Sequence, residues 1–143
     1  MSDGRFVGYY WQICALLGEK VHLLDTGHPD YELSEDIDAE YVGNFWATIV
    51  FKDGSHLVVR FTLRSDGDIE EFDYSYQYID PQGKRIFRYD DAPHHPEVTT
   101  HPHHLHKGPE PTGRAEDRVY PLDIPKVAFA TVLAKIERQY LKA

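Results

Sequence analysis

Cysteine is almost absent. The 143 residues contain one, Cys14, which excludes an intramolecular disulfide framework and any zinc or iron–sulfur site built on several thiolates. Long apolar runs are missing too: nothing approaches the roughly 20 residues that a bilayer-spanning helix needs. The start of the chain carries an acid at Asp3 and no basic-then-apolar leader pattern. The sequence therefore predicts a reduced, cytoplasmic protein with no membrane contact. Basic residues are scarce, 15 Lys and Arg against 24 Asp and Glu, for a net charge of −9. That balance argues against broad coverage of a nucleic-acid backbone, whose sequence-independent affinity comes from clustered cations. A phosphate-cradling glycine loop and a serine nucleophile elbow are also lacking.

Hydrophobic residues make up 41% of the chain and aromatics 13%, enough for a core without staples, so one domain over residues 1–143 is expected. The charge is uneven. Residues 25–40 carry seven acids and no Lys or Arg, which reads as a solvated surface segment or as a docking surface for a basic partner. Pro125–Ala143 holds four basic residues and one acid, Glu137. Histidine is abundant, nine in all, six of them between His94 and His106. Protonating every histidine would cancel the net charge, so that number holds only at neutral pH and above.

Periodicity predicts the elements. Phe6, Tyr10, Ile13 and Leu17 recur at helical spacing over 5–18, and Val21–Leu24 is a first strand or the end of that helix. Asp25–Glu40 reads as loop with an edge strand. Phe45–Phe51 and His56–Leu63 flank Asp53-Gly54, a pair suited to a tight hairpin turn. A second turn at Ser65–Asp68 leads to Ile69–Ile79, where Phe72, Tyr74, Tyr76 and Tyr78 alternate with polar residues as a half-buried strand face. Asp80-Pro81-Gln82-Gly83 suits a type I turn before a strand over Lys84–Tyr89. At the C-terminus Asp123 is the expected N-cap and Pro125 the first turn of a helix. Its stripe is Ile124, Val127, Ala128, Val132, Ile136 and Tyr140. The predicted class is α+β: a four-stranded antiparallel meander with N- and C-terminal helices packed on it.

Between them, residues 90–121 form a Pro- and His-rich segment with little periodic signal, and a long loop of that kind is usually functional or disordered. Pro93, Pro96 and Pro102 favour extended geometry before them. In such a chain His101 and His103 share one side and His104 and His106 the other. Three readings stay open. Imidazoles act as general acid and base, with Arg88 or Arg85 stabilising a developing anion, as cleavage of a ribose-phosphate backbone requires. Alternatively His101, His103, His104 and His106, with Asp90 or Asp91, bind a divalent metal such as zinc in a binding protein or a hydrolase. In the third, the histidines are structural. For acid–base chemistry the candidates are His94, His95, His103 and His106, with Arg88 as the cation and Asp90 orienting an imidazole. Cys14, His22, His28 and His56 have no local partner that marks a site.

The string Tyr74-x-Tyr76-x-Tyr78-x-Asp80, then Phe87-Arg88-Tyr89-Asp90 running into Ala92-Pro93-His94-His95-Pro96, then Pro102-His103-His104-x-His106, resembles the TumE family of prokaryotic toxin–antitoxin toxins. The likeness covers roughly residues 45–106. It implies a small cytoplasmic toxin neutralised by a co-encoded antitoxin, typically a helix-turn-helix protein called TumA, in a complex or as a homo-oligomer. It implies no particular reaction; an RNA substrate is inferred from the His and Arg residues alone. Two positions depart from the family pattern. Asp91 stands where Asn is common, adding an anion, and His101 stands where an aromatic residue usually precedes Pro102.

Overall fold

Alternating apolar and polar residues build a seven-stranded antiparallel sheet whose strands lie in chain order. They are β1 (Ser34–Asp38), β2 (Val42–Val50), β3 (His56–Arg64), β4 (Phe72–Ile79), β5 (Arg85–Asp90), β6 (His104–Lys107) and β7 (Val119–Tyr120). Helix α1 (Gly4–Glu19) precedes the sheet and α2 (Phe129–Gln139) follows it. The structure is a computed structural model that describes residues 4–27, 34–38, 42–64 and 69–141; the turn expected at Ser65–Asp68, His28 and parts of the acidic segment lie outside them.

The α+β meander is as expected, but longer. Residues 21–23 are a 3-10 turn that continues α1, and Leu24 bridges to Phe51. The acidic segment contributes the edge strand β1, paired with β2. Gly54 at φ +90° and Gly83 at φ +87° make the two predicted turns, conformations that a side chain disfavours. The larger correction concerns residues 90–121, which also hold β6 and β7. Each is too short for a periodic signal; β6 is recruited by the free edge of β5, and β7 in turn by the edge of β6.

The register divides the residues into two faces. Phe45, Ala47 and Ile49 oppose Phe61, Val59 and Leu57. The row continues through Tyr76 and Tyr78 to Tyr89 and Phe87, then to Leu105. All are buried, each large side chain contributing roughly 1.5–3 kcal/mol. Both helices cover this face. Tyr10 stacks on Phe45, Tyr9 meets Phe61 edge-on, and Tyr140 packs on Tyr78 and Phe87. No described helix covers the opposite face, where Trp46 is 45% exposed.

Asp123 and Pro125 do not start the last helix. α2 begins at Phe129 with Ala128 as N-cap, and Ala128 has no side-chain acceptor to offer. Thr131 Oγ1 accepts the Ala128 N–H at 2.9 Å, and Glu71 accepts the Phe129 N–H at 2.8 Å. A buried carboxyl group just ahead of β4 thus does the work of a local cap. Asp123 instead accepts from Tyr89 Oη and from Lys135 Nζ, the latter at 3.1 Å. Lys135 Nζ also donates to Tyr89 Oη at 2.6 Å and lies over the Phe87 ring.

Glu71 also accepts from Tyr9 Oη and Tyr76 Oη, so it ties α1, β4 and α2 together. Burial raises its carboxyl to about 7, against the bonds from Tyr9 and Phe129 and the charge of Lys126. An unfolded Glu ionises near 4.3. Between about pH 4.5 and 7 the native state therefore holds a proton that the unfolded chain has lost, and stability falls as pH rises through that window. Urea denaturation of the wild type should show this decline, on the order of 3 kcal/mol, levelling above it. Glu71→Gln should flatten it; an unchanged slope would remove Glu71 as its source.

Candidate active site

Antiparallel pairing of β5 with β6 sets Asp90 opposite His104 and Arg88 opposite His106. These positions alternate with Tyr89 and Leu105, which face the helices, so all four polar side chains belong to the helix-free face. Asp90 is the hub. Its Oδ1 lies 2.7 Å from His104 Nε2, and its Oδ2 lies 3.0 Å from Arg88 Nε and 3.4 Å from His106 Nε2. The Ala92 N–H adds a bond of 3.1 Å. Burial pushes the Asp90 carboxyl up, but His106, His104, Ala92 and Arg88 together outweigh it and hold the group at about 2.

The ring contacts fix the tautomers. His104 Nδ1 donates to the Pro102 carbonyl at 3.0 Å, leaving Nε2 against Asp90. A bare nitrogen lone pair 2.7 Å from a carboxylate oxygen is repulsive, so this contact requires a cation between them, a proton or a metal ion. Burial lowers His104 below the ordinary imidazole value, with Pro102 and Asp90 acting against it. At His106 the guanidinium of Arg88 lies 3.1 Å from Nε2 and can only donate. The proton of that ring therefore belongs on Nδ1, which is buried 2.9 Å from Asp117 Oδ2 but outside hydrogen-bonding geometry.

His95 closes the cluster from the segment between β5 and β6. Its ring is edge-on to His104 at 4.8 Å and to His106 at 5.9 Å. Ligand atoms of His95, His104 and His106 all lie within 4.8 Å of one another, so the three can hold a metal ion. The group expected to do so is different. His104 and His106 share a side, as alternation predicts, but His101 is exposed and outside the cluster. His103 turns away to stack on Tyr74 at 5.8 Å and to accept from Tyr74 Oη at 2.7 Å. His94 is exposed and lines a cavity of about 340 Å³ shared with Arg60, Arg88, Asp90 and His95. A neighbouring cavity of about 660 Å³ lies across His95 and His106, bounded by Asp117, Arg118 and Tyr120.

Two carboxylates change meaning in three dimensions. Asp91 accepts the N–H groups of Asp73 and Tyr74 at 2.9 and 3.0 Å, so it serves the backbone of β4 rather than adding a free anion. Asp117, which no motif marked, takes both Arg85 guanidinium nitrogens at 2.9 and 2.8 Å. Arg85 is 5% exposed and also donates to the Gly108 carbonyl. It is therefore committed to structure; of the two β5 arginines, Arg88 is the one that reaches the cavity. Arg85→Ala should cost about 2–3 kcal/mol in urea denaturation, because it removes a buried guanidinium and leaves the half-buried Asp117 without its two charge-assisted bonds. Arg88→Ala, with its partner still held by His104, should cost less than half of that; equal costs would contradict the division of roles.

The fold and cluster define an α+β protein with one helix-covered face and an imidazole–carboxylate–guanidinium centre on the other. The comparisons agree with the motif-level resemblance: residues 20–140 match the family described as toxin TumE, and the chain belongs to it. Membership makes it a toxin-family protein for which a cognate antitoxin is the general expectation. No curated protein and no solved structure matches the chain. Among the described residues no helix is long and apolar enough to cross a membrane.

Proposed function

We propose that this TumE-family chain is the toxin of a toxin–antitoxin pair and cleaves RNA at the Asp90–His104–His106 centre, with a helix-turn-helix, TumA-like antitoxin as its inhibitor. The reading rests above all on the bond between Asp90 and His104 beside Arg88. It holds a carboxylate, two imidazoles and a guanidinium around one cavity. In this scheme a cavity imidazole, His95, takes the proton of the ribose 2′-hydroxyl. The 2′-oxygen attacks the adjacent phosphorus, and the 5′-oxygen leaves with a proton from His94, which is exposed and lines the cavity. Arg88 stabilises the charge that builds on the phosphoryl oxygens. Asp90 and His104 are positioning residues: His104 is 2% exposed with both nitrogens engaged. His103 is stacked on Tyr74 and lines neither cavity.

A metal-dependent hydrolase is the second reading, favoured by the same 2.7 Å contact. His104 and His106 offer Nε2, and His95 completes a nitrogen set suited to zinc, with Asp90 adjacent. The Pro102 carbonyl on His104 Nδ1 then plays the outer role that orients metal-binding imidazoles. Such an ion would supply a Lewis acid and an activated water.

One assay separates the two. Under the metal-free scheme, purified protein cleaves RNA in the presence of a chelator, with a bell-shaped pH profile and products ending in cyclic phosphate. His95→Ala or Arg88→Ala should lower the rate at least 100-fold and relieve growth inhibition, while His101→Ala behaves as wild type. Loss of cleavage in chelator, restored by zinc, would favour the hydrolase. Intact RNA with full growth inhibition would discard both.

A further inference from the structure

The helix-free face carries a second feature, set by the same register. Trp46 opposes Arg60, Arg60 opposes Ser75, Ser75 opposes Asp90, and Asp90 opposes His104. Five residues from β2 to β6 thus form one row across the sheet. The next row runs Thr48, Val58, Gln77, Arg88, His106. Neighbouring strands are about 4.8 Å apart, so Trp46 stands roughly 14–15 Å from Asp90 and Arg60 about 10 Å from it.

Among the described residues, two groups in the row have no side-chain partner. Trp46 is 45% exposed and makes no ring contact among the described residues. Arg60 is exposed, lines the cavity that contains Asp90 and His94, and has no ion pair or hydrogen bond among the described residues. Asp73 and Asp91 line the same cavity, but Asp91 is spent on backbone N–H groups. An exposed indole with an unpaired guanidinium on the adjoining strand matches a base and its phosphate. Ser75 and Gln77 add hydroxyl and amide groups able to meet base edges.

We propose that this row is a nucleotide-binding subsite for single-stranded RNA: one base stacks on Trp46, its phosphate pairs with Arg60, and the strand runs on to the centre at Asp90. The proposal rests on the RNA-cleaving reading and specifies how that substrate is held. Among the described residues, Arg60 and Arg88 are the two arginines lining this cavity, so a chain of net charge −9 binds RNA through a local groove rather than a basic surface. Duplex RNA does not fit, because its bases are paired and stacked away from Trp46.

Trp46 and Trp11 are the only tryptophans, and Trp11 lies on α1, on the other side of the sheet. In a Trp11→Phe background, a short 2′-O-methyl RNA strand, which lacks the attacking hydroxyl, should quench the remaining fluorescence on binding. Measured by anisotropy, Trp46→Ala should weaken binding roughly 5- to 100-fold and Trp46→Phe much less. Arg60→Ala should reduce the salt dependence of log K by about 0.7, and Arg60→Lys should retain it. Absence of quenching, or binding unchanged in both alanine variants, would overturn the subsite. So would protection of Trp46 by the adjacent-gene antitoxin with no effect of the variants on RNA. If the methylated strand binds through Trp46 while unmodified RNA stays intact, the subsite stands and the catalytic reading fails. If RNA is cut equally well with unchanged KM by both alanine variants, the reverse holds.

Discussion

Pairing between β5 and β6 fixes the register that carries the polar centre. Backbone hydrogen bonds there set Asp90 against His104 and Arg88 against His106, while Tyr89 and Leu105, one residue along, enter the core. Slipping β6 by one residue would move both imidazoles into the aromatic layer and Leu105 into water. The hydrophobic cost of that slip locks the polar residues together. The Asp90 carboxylate then gathers what the register delivers, a cation on one oxygen and a ring nitrogen on each.

The two faces of the sheet handle buried polarity differently. On the helix side the exceptions to an apolar core are closed networks: Glu71 joins two tyrosines and the start of α2, and Lys135 is satisfied by Tyr89 and Asp123. Their donors and acceptors are used up, which suits tethering. On the open face, Arg88 remains partly accessible and both sides of His95 and His106 border cavities. His106 Nδ1 is buried without a hydrogen bond, an imbalance more typical of a working site than of a scaffold.

The sequence was legible where repetition was long. Phe6, Ile13 and Leu17 marked α1, and alternation through Tyr74, Tyr76 and Tyr78 marked β4 with its buried face. Glycines at 54 and 83 made turns where expected. Legibility ended where an element was short or a partner distant. His104–Lys107 is a strand because β5 has an edge to pair, and Val119–Tyr120 because β6 then offers the next one; nothing in four or two residues announces either. Asp123 looked like a cap because capping residues precede helices; its carboxylate is claimed by Lys135 and Tyr89 instead, and Glu71, 58 residues from Phe129, takes its place.

At the site the division is similar. The chain by itself determined the chemistry on offer, many imidazoles with Arg88 and Asp90 in a proline-stiffened stretch, and the family to which that string belongs. Side-chain type and local backbone preference are written residue by residue, so they survive in one dimension. Which imidazoles meet was decided only in three dimensions. His95 joined His104 and His106, whereas His103 went to Tyr74 and His101 to solvent. Arg85 went to Asp117, and Trp46 and Arg60 fell in line with Asp90 across strands separated by long stretches of sequence. Those choices depend on register and burial, which pair residues by distance in space rather than along the chain.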